Sequence, residues 1–262
     1  MKRYIKIYWI IIKLNFSLLF AYRANFYNSF IISVGWGIVS VSSIFFVTAK
    51  VSHIYTWSRG DLYLLAGVYS VIVGLFHMFF SASLERFGRT ISLGMLDSYL
   101  LTPIDTQIYL STKTFRPISL LRLIIGIVFT AVVITQQHIE IHFANVFLSF
   151  VFIFFGITFL YSMWFLVITL MIWNPNLTNL IDFLYISNNF SRYPTSIVTY
   201  TKNVLLYLVL PLMLVTTVPA EFILGKVTIL QVIGLLFFSL GLFMASRYFW
   251  KFALTKYTSA SS

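Results

Sequence analysis

An all-α integral membrane protein with about six transmembrane helices is the fold class that the sequence predicts, and two observations carry it. Six stretches, 24–49, 62–84, 123–139, 141–181, 203–220 and 227–246, contain no Asp, Glu, Lys or Arg. About 20 mostly apolar residues cross a bilayer core as a helix, because lipid satisfies no open backbone donor or acceptor. The composition agrees: 60% of the 262 residues are hydrophobic, 19% aromatic and 10% charged, which leaves too little polar surface for a soluble domain of this length. The whole chain, 1–262, reads as one membrane domain. Its longest intervals suited to water, roughly 84–117 and 174–202, are too short to build a core of their own.

Residues 1–24 read as a helix lying in the membrane interface. Lys2 and Arg3 before an apolar run imitate a secretory leader, but Lys13 interrupts the run and no small-residue cleavage site follows, so the segment is expected to stay. At about 100° per residue Lys2, Lys6, Lys13 and Ser17 share one narrow arc, and Ile5, Ile12, Phe16 and Leu19 lie outside it. The lysines would face anionic head groups, making membrane lipids a partner. A first crossing that merely starts early would instead carry basic residues to bilayer depth, at about 2.5 to 3.5 kcal/mol each.

Crossings are then expected at 27–49, 62–83, 118–137, 144–172, 203–219 and 227–247. The run 141–181 is long enough to tempt a reading as two. Trp173, Asn174, Pro175 and Asn176 break it, and too little follows before Asp182 to cross again, so an interfacial segment is expected there.

The formal charge of +11 lies between the apolar runs, so it reads as membrane orientation rather than nucleic-acid binding. With the N-terminus inside, the inner segments hold Lys2, Arg3, Lys6, Lys13, Arg23, Arg86, Arg89, Lys113, Arg116, Arg192, Lys202, Arg247, Lys251 and Lys256. The outer loops hold only Lys50, Arg59 and Lys226. That bias places both termini in the cytoplasm. Trp9, Trp57, Trp173 and Trp250 fall at the expected interfaces, while Trp36 and Trp164 do not.

Catalytic and cofactor chemistry find little support. Without cysteine there is neither a disulfide nor a thiolate site. The one Gly-Lys pair, Gly225-Lys226, lacks the upstream glycine and the following hydroxyl of a phosphate-cradling loop, so any ATP must be hydrolysed on another chain. His138, Glu140 and His142 alternate in the turn expected between the third and fourth crossings. A helical two-His metal site needs i and i+4 spacing, so a polar turn is the expectation there. The seven acidic residues Asp61, Glu85, Asp97, Asp105, Glu140, Asp182 and Glu221 all fall at span ends or in loops, which argues against a proton-coupled carrier and an intramembrane hydrolase. Arg122 lies about one turn inside the third crossing; a snorkelling stem accounts for it, as does lining a path or pairing with a partner helix. His77 and Gln231 lie deeper, where each suits an interhelical hydrogen bond or a polar cavity.

The interval after the second crossing is the most informative polar segment. Glu85-Arg86-Phe87-Gly88-Arg89 leads into Gly94-Met95-Leu96-Asp97-Ser98-Tyr99-Leu100-Leu101-Thr102-Pro103. Asp97 is placed to cap a short amphipathic helix starting after Gly94, and Pro103 to stop it. Such a helix is either a docking knob for a soluble partner or a plain connection.

At this point the chain resembles the membrane (permease) subunits of type-2 ABC exporters, in their small six-span branch. The likeness rests on Gly94-x-Leu96-Asp97-x-x-Leu100-Leu101-x-Pro103, on Phe190-Ser191-Arg192-Tyr193-Pro194, and on Pro211 with Val218-Pro219-Ala220-Glu221-Phe222-Ile223-Leu224-Gly225. It covers essentially the whole chain. Thr102 departs from the basic residue expected before the Pro, which weakens any charge contact with an ATPase there.

The resemblance implies a half-transporter, not an enzyme by itself. A second permease chain, related or identical, would complete the path, and separate ABC ATPase subunits would bind ATP and Mg, this chain binding no cofactor. Gly94, Leu96, Asp97, Leu100 and Pro103 would form a cytoplasmic coupling helix. Val218 to Gly225 would form a short re-entrant element at the outer mouth, so Pro219 and Glu221 join Arg122 and His77 as candidate path or gate residues. The expected setting is the bacterial plasma membrane, and the expected cargo a hydrophobic, cationic or lipid-like compound moving outward. An ion-coupled carrier or channel, and a membrane enzyme or scaffold without its own ATPase, are the competing classes.

Overall fold

A computed structural model describes residues 2–21, 23–49, 53–201 and 203–257. The chain runs through α1 (Lys2–Ala21), α2 (Arg23–Thr48), a two-stranded hairpin of β1 (His53–Ile54) and β2 (Trp57–Ser58), α3 (Arg59–Phe76), one π-helical turn at His77–Ser81, and α4 (Ala82–Ser92). It continues through α5 (Asp97–Leu100), α6 (Thr106–Thr112), α7 (Leu120–Gln136), α8 (Phe143–Thr169), α9 (Asn179–Asn188), α10 (Ser196–Thr201), α11 (Leu210–Leu224) and α12 (Ile229–Lys256). Among the described residues five helical stretches are long and apolar enough to cross a membrane: Phe26–Phe46, Arg59–Ser92, Pro117–Gln136, Phe143–Ile172 and Ile229–Lys256. The architecture is that of an all-α multi-pass membrane protein.

The central pair of helices is the 34-residue run α3–α4 and α8. Leu64, Leu65, Ile72, Phe76 and Leu84 from the first, and Leu160, Trp164, Phe165 and Ile168 from the second, are essentially sealed from the surroundings. Lipid tails are as apolar as these side chains, so close packing rather than hydrophobic burial holds the helices together. Small residues permit it. A Cβ on Gly126 of α7 would sit 2.9 Å from Ser70 Cβ and from the Val71 backbone nitrogen of α3, so the two backbones touch. A Cβ on Gly156 of α8 would meet the Val215 carbonyl of α11 at 3.0 Å. That carbonyl faces a glycine where the helix has no fourth-residue donor for it, because Pro219 carries no N–H.

Two ends of the bundle are defined by ion pairs. At one, Ser58 and Asp61 form a capping box for α3, with Ser58 N donating to Asp61 Oδ2 at 2.9 Å. The same oxygen receives Lys226 Nζ at 2.8 Å from the turn between α11 and α12. At the other, Arg247 of α12 meets Asp105 at the head of α6, and Phe87, Phe165 and Trp250 pack with ring centroids 5.2 to 5.5 Å apart.

Three details differ from the sequence reading. Residues 203–219 do not form one helix. Asn203 Oδ1 accepts from Leu205 N at 3.0 Å to start a separate 3-10 segment, Val204–Leu208, and Pro211 sits in the first turn of the new helix α11. Instead of lying along an interface, α9 and α10 run between the two ends of the bundle. Tyr185 bonds Glu85 of α4 and Asn189 accepts from Tyr69 of α3, while Tyr200 stacks on Tyr55 of the hairpin, centroids 4.6 Å apart.

Asp97 does not cap a helix. It is the first residue of a single helical turn whose N-cap position, Leu96, makes no side-chain cap bond. Gly94, with φ +66°, ends α4 by a Schellman motif: Met95 N bonds Thr90 O and Gly94 N bonds Ile91 O, both at 3.0 Å. The cap lies eight residues further on, where Asp105 Oδ1 accepts from Ile108 N at 3.1 Å and starts α6. On α1, Lys13 and Ser17 are exposed, while the side chains of Lys2 and Lys6 lie outside the described residues.

Candidate functional site

A cavity of about 1030 Å³ opens between α2, α3, α4, the start of α7 and α9. Arg122 from the first turn of α7 and Arg192 from the 3-10 turn after α9 enter it at the level of Tyr69. Arg122 Nη2 donates to Ser40 Oγ at 2.7 Å. Arg192 donates to Ser43 Oγ at 3.3 Å and to Tyr69 Oη at 3.4 Å, with its guanidinium 4.9 Å from the Tyr69 ring centroid. Both Nε atoms are buried without a partner. Neither arginine snorkels outward; both hold their heads inside the bundle.

His77 lines the same cavity from the π-helical turn, its Nδ1 3.0 Å from Ser81 Oγ and its ring stacked on Tyr185 at 5.5 Å. A π-helical turn widens a helix by one residue and recurs where a side chain is re-aimed. Tyr185 in turn donates to Glu85 Oε1 at 2.5 Å, and Arg116 lies 3.5 Å from the other Glu85 oxygen. The sequence therefore named two members of this site, Arg122 and His77, as separate residues, and the fold brings them to one cavity.

Pro219 and Glu221 lie elsewhere, on α11 toward the Asp61–Lys226 end. Glu221 Oε1 accepts from Gln231 Nε2 at 3.2 Å, and the same nitrogen reaches Thr195 Oγ1 at 2.9 Å, tying α11, α12 and the residue just before α10 together. The Pro219 carbonyl accepts from Ser149 Oγ of α8 at 2.9 Å. Among the described residues no group of three His, Asp or Glu side chains is placed to hold a metal ion, the His138, Glu140 and His142 turn included.

A third constellation sits at the Asp105–Arg247 end. Gly94, Leu96, Asp97, Leu100 and Pro103 fall in the connection from α4 to α6. Leu96 is fully buried beneath it, whereas Leu93, Met95 and Leu101 point outward, 66%, 54% and 85% exposed. Beneath this apolar knob runs a polar strut. Arg247 donates to both Asp105 oxygens, at 2.9 and 2.7 Å, and to Gln107 Oε1 at 3.1 Å. Gln107 Nε2 donates to Tyr161 Oη of α8 at 3.1 Å, and Ser111 Oγ lies 3.1 Å from the same hydroxyl. The Arg247 guanidinium, chiefly by hydrogen bonding and helped by the Ile108 amide, holds the Asp105 carboxyl below its ordinary range despite partial burial. Asp97 sits beside Tyr257 just beyond α12, where burial first and the Asp97 charge second push the phenol up.

Residues 30–261 match the profile described as ABC-2 family transporter protein. The chain belongs to that family. Neither a curated protein nor a solved structure matches it. In this ABC-2 transporter subunit the α4–α6 connection carries exposed apolar side chains at the Asp105–Arg247 end of the bundle. Arg192, Tyr185, Glu85, Asp105 and Arg247 escaped the sequence reading as site residues because each looked like an ordinary loop or span-end group.

Proposed function

We propose that this ABC-2 permease forms half of the translocation path of an ATP-driven exporter, pairing with a second permease chain and docking a separate ABC ATPase that holds ATP and Mg. The observation that carries this is the apolar knob of Leu93, Met95 and Leu101 mounted on the Arg247–Asp105 and Gln107–Tyr161 strut. A soluble subunit gripping the knob would move α8 and α12 together, since the bidentate pair and the buried tyrosine couple α6 to both.

In this reading both termini and the knob face the cytoplasm of a bacterial plasma membrane. Residues 179–201 supply the fifth crossing as a broken helix, and α11 is the re-entrant element near the outer mouth. The broken crossing fits its polar partners: Thr216 Oγ1 of α11 donates to the Ser191 carbonyl, and Thr195 N donates to Thr217 Oγ1 at 3.3 Å. Irregular backbone at membrane depth is tolerated where it is covered by protein in this way. Leaving Lys202 out and with Arg192 withdrawn into the bundle, twelve of the fourteen basic residues counted inward remain, against three outward. The bias that sets orientation survives.

The test is co-expression of the permease with a candidate ABC ATPase subunit that carries a phosphate-loop lysine. The expected result is an ATPase that copurifies with the permease, hydrolysing ATP only when the phosphate-loop lysine of that ATPase is intact. Hydrolysis by the permease alone after removal of the ATPase would overturn the proposal.

A further inference from the structure

We infer that the cavity between α2, α3, α7 and α9 is a binding site for an anionic phosphate group, as the headgroup of an amphiphile or as free phosphate. This deepens the permease reading and rests on it only for the role of the bound molecule as cargo. Five arginines line the cavity, Arg86, Arg89, Arg116, Arg122 and Arg192, against one carboxylate, Glu85. Glu85 is already committed to Tyr185 and Arg116. A cationic compound would meet an excess of like charge there, so the cavity opposes the cationic cargo that the sequence left open.

Orientation signals explain Arg86, Arg89 and Arg116, which lie toward one end of the bundle. They do not explain Arg122 and Arg192, which are held inside it by Ser40, Ser43 and Tyr69 rather than released to an interface. The unmet hydrogen-bonding capacity is mostly that of donors, and the remaining group on the lining, the Thr114 hydroxyl, can also donate. Arg122 Nε, Arg192 Nε and the Nδ2 of Asn188, a residue only 3% exposed, are buried donors without partners on side chains that line the cavity. A phosphate offers acceptors only, and planar guanidinium groups match it in paired geometry. The mouth is apolar: Ile32, Trp36 and Ile186 line it and are 50%, 59% and 63% exposed, which suits an acyl or polyprenyl chain lying outside while the headgroup sits within.

The full chain is reconstituted in phosphatidylcholine nanodiscs and titrated with phosphatidic acid bearing a fluorescent acyl chain, and separately with equally labelled phosphatidylcholine. The expected result is at least tenfold tighter binding of phosphatidic acid. That preference should fall at least tenfold in a variant combining Arg122→Gln and Arg192→Gln, and by a smaller factor in Arg86→Gln, whose exposed position leaves folding intact. Lys251→Gln on the exposed side of α12 should leave it unchanged. Competition by millimolar inorganic phosphate assigns the site to the free anion, and its failure to compete assigns it to a lipid headgroup. Equal binding of the two lipids by the unaltered chain, with no effect of phosphate, overturns the inference without requiring any variant to fold. Because no ATPase is present in this measurement, its failure leaves the docking test of the permease reading standing, and the reverse also holds.

Discussion

Arg247 on the last helix and Asp105 at the head of α6, 142 residues apart in sequence, meet in a two-bonded ion pair at 2.7 and 2.9 Å. Both side chains are about a third exposed, so the pair itself contributes on the order of 1 kcal/mol or less. Its consequence is mechanical, since Arg247 also holds Gln107, which is bonded to Tyr161 of α8. We therefore expect Arg247→Ala to lower the thermal midpoint only slightly while cutting the stimulation of the partner ATPase severalfold. Melting curves and coupled ATP hydrolysis on the same preparation check this, and a large loss of stability with intact coupling would refute it.

The Asp105 carboxyl is held below its ordinary range by Arg247. A folded pKa below the unfolded value means that the stabilisation is fully present above about 3.9, the ordinary Asp value, and is lost as pH falls through the lowered folded pKa. Coupling through the strut should thus be insensitive to pH across the neutral range. Carbon-13 titration of the Asp carboxyls should place Asp105 below a free Asp, and Arg247→Ala should move it upward. No movement in that variant would mean that the arginine is not the cause.

Close backbone contact between α3 and α7 is testable at single glycines. Gly126→Ala forces a methyl to 2.9 Å from the Val71 nitrogen and should destabilise by about 1 to 3 kcal/mol. Gly35→Ala on α2 meets nothing within 4 Å and should be neutral or stabilising, since alanine favours a helix by up to about 1 kcal/mol over glycine. Thermal unfolding in one detergent compares the two, and equal midpoints would contradict the packing.

Five of the six charge-free runs were legible as helices of bilayer length, but the run 203–220 was not, because Asn203 and Pro211 divide it into a 3-10 segment and the shorter α11. Residues 179–201 were not legible. Asp182, Arg192, Asn188, Asn189 and Pro194 give them the composition of a loop, and their partners Tyr69, Trp164 and Thr216 lie far away in sequence. Hydropathy cannot report polar groups that are satisfied by tertiary contacts. The coupling segment was half legible for a related reason. The sequence reading places the cap at Asp97, whereas the bond from Ile108 N to Asp105 Oδ1 puts it at the head of α6, after the chain has turned at the left-handed Gly94. The cavity needed the fold altogether, because Arg122, His77 and Arg192 converge from three elements.

The α4–α6 connection offers the sharpest test of the docking reading, because neighbouring leucines in it have opposite surroundings. Leu101 is 85% exposed and Leu96 is 0% exposed. If the outward side chains grip an ATPase, Leu101→Glu should leave expression, membrane insertion and thermal midpoint unchanged, since the new charge enters water. The same substitution should abolish copurification of the ATPase, because an apolar contact would be replaced by a carboxylate that the interface must desolvate. Leu96→Ala should do the opposite: it opens the core beneath the loop, costs about 2 to 5 kcal/mol, and weakens ATPase binding only as far as folding fails. Quantitative pull-down against fluorescence-detected melting separates the two. If Leu101→Glu retains its ATPase while Leu96→Ala behaves as a simple core mutation, the loop is a plain connection, and the docking surface lies elsewhere on that end of the bundle.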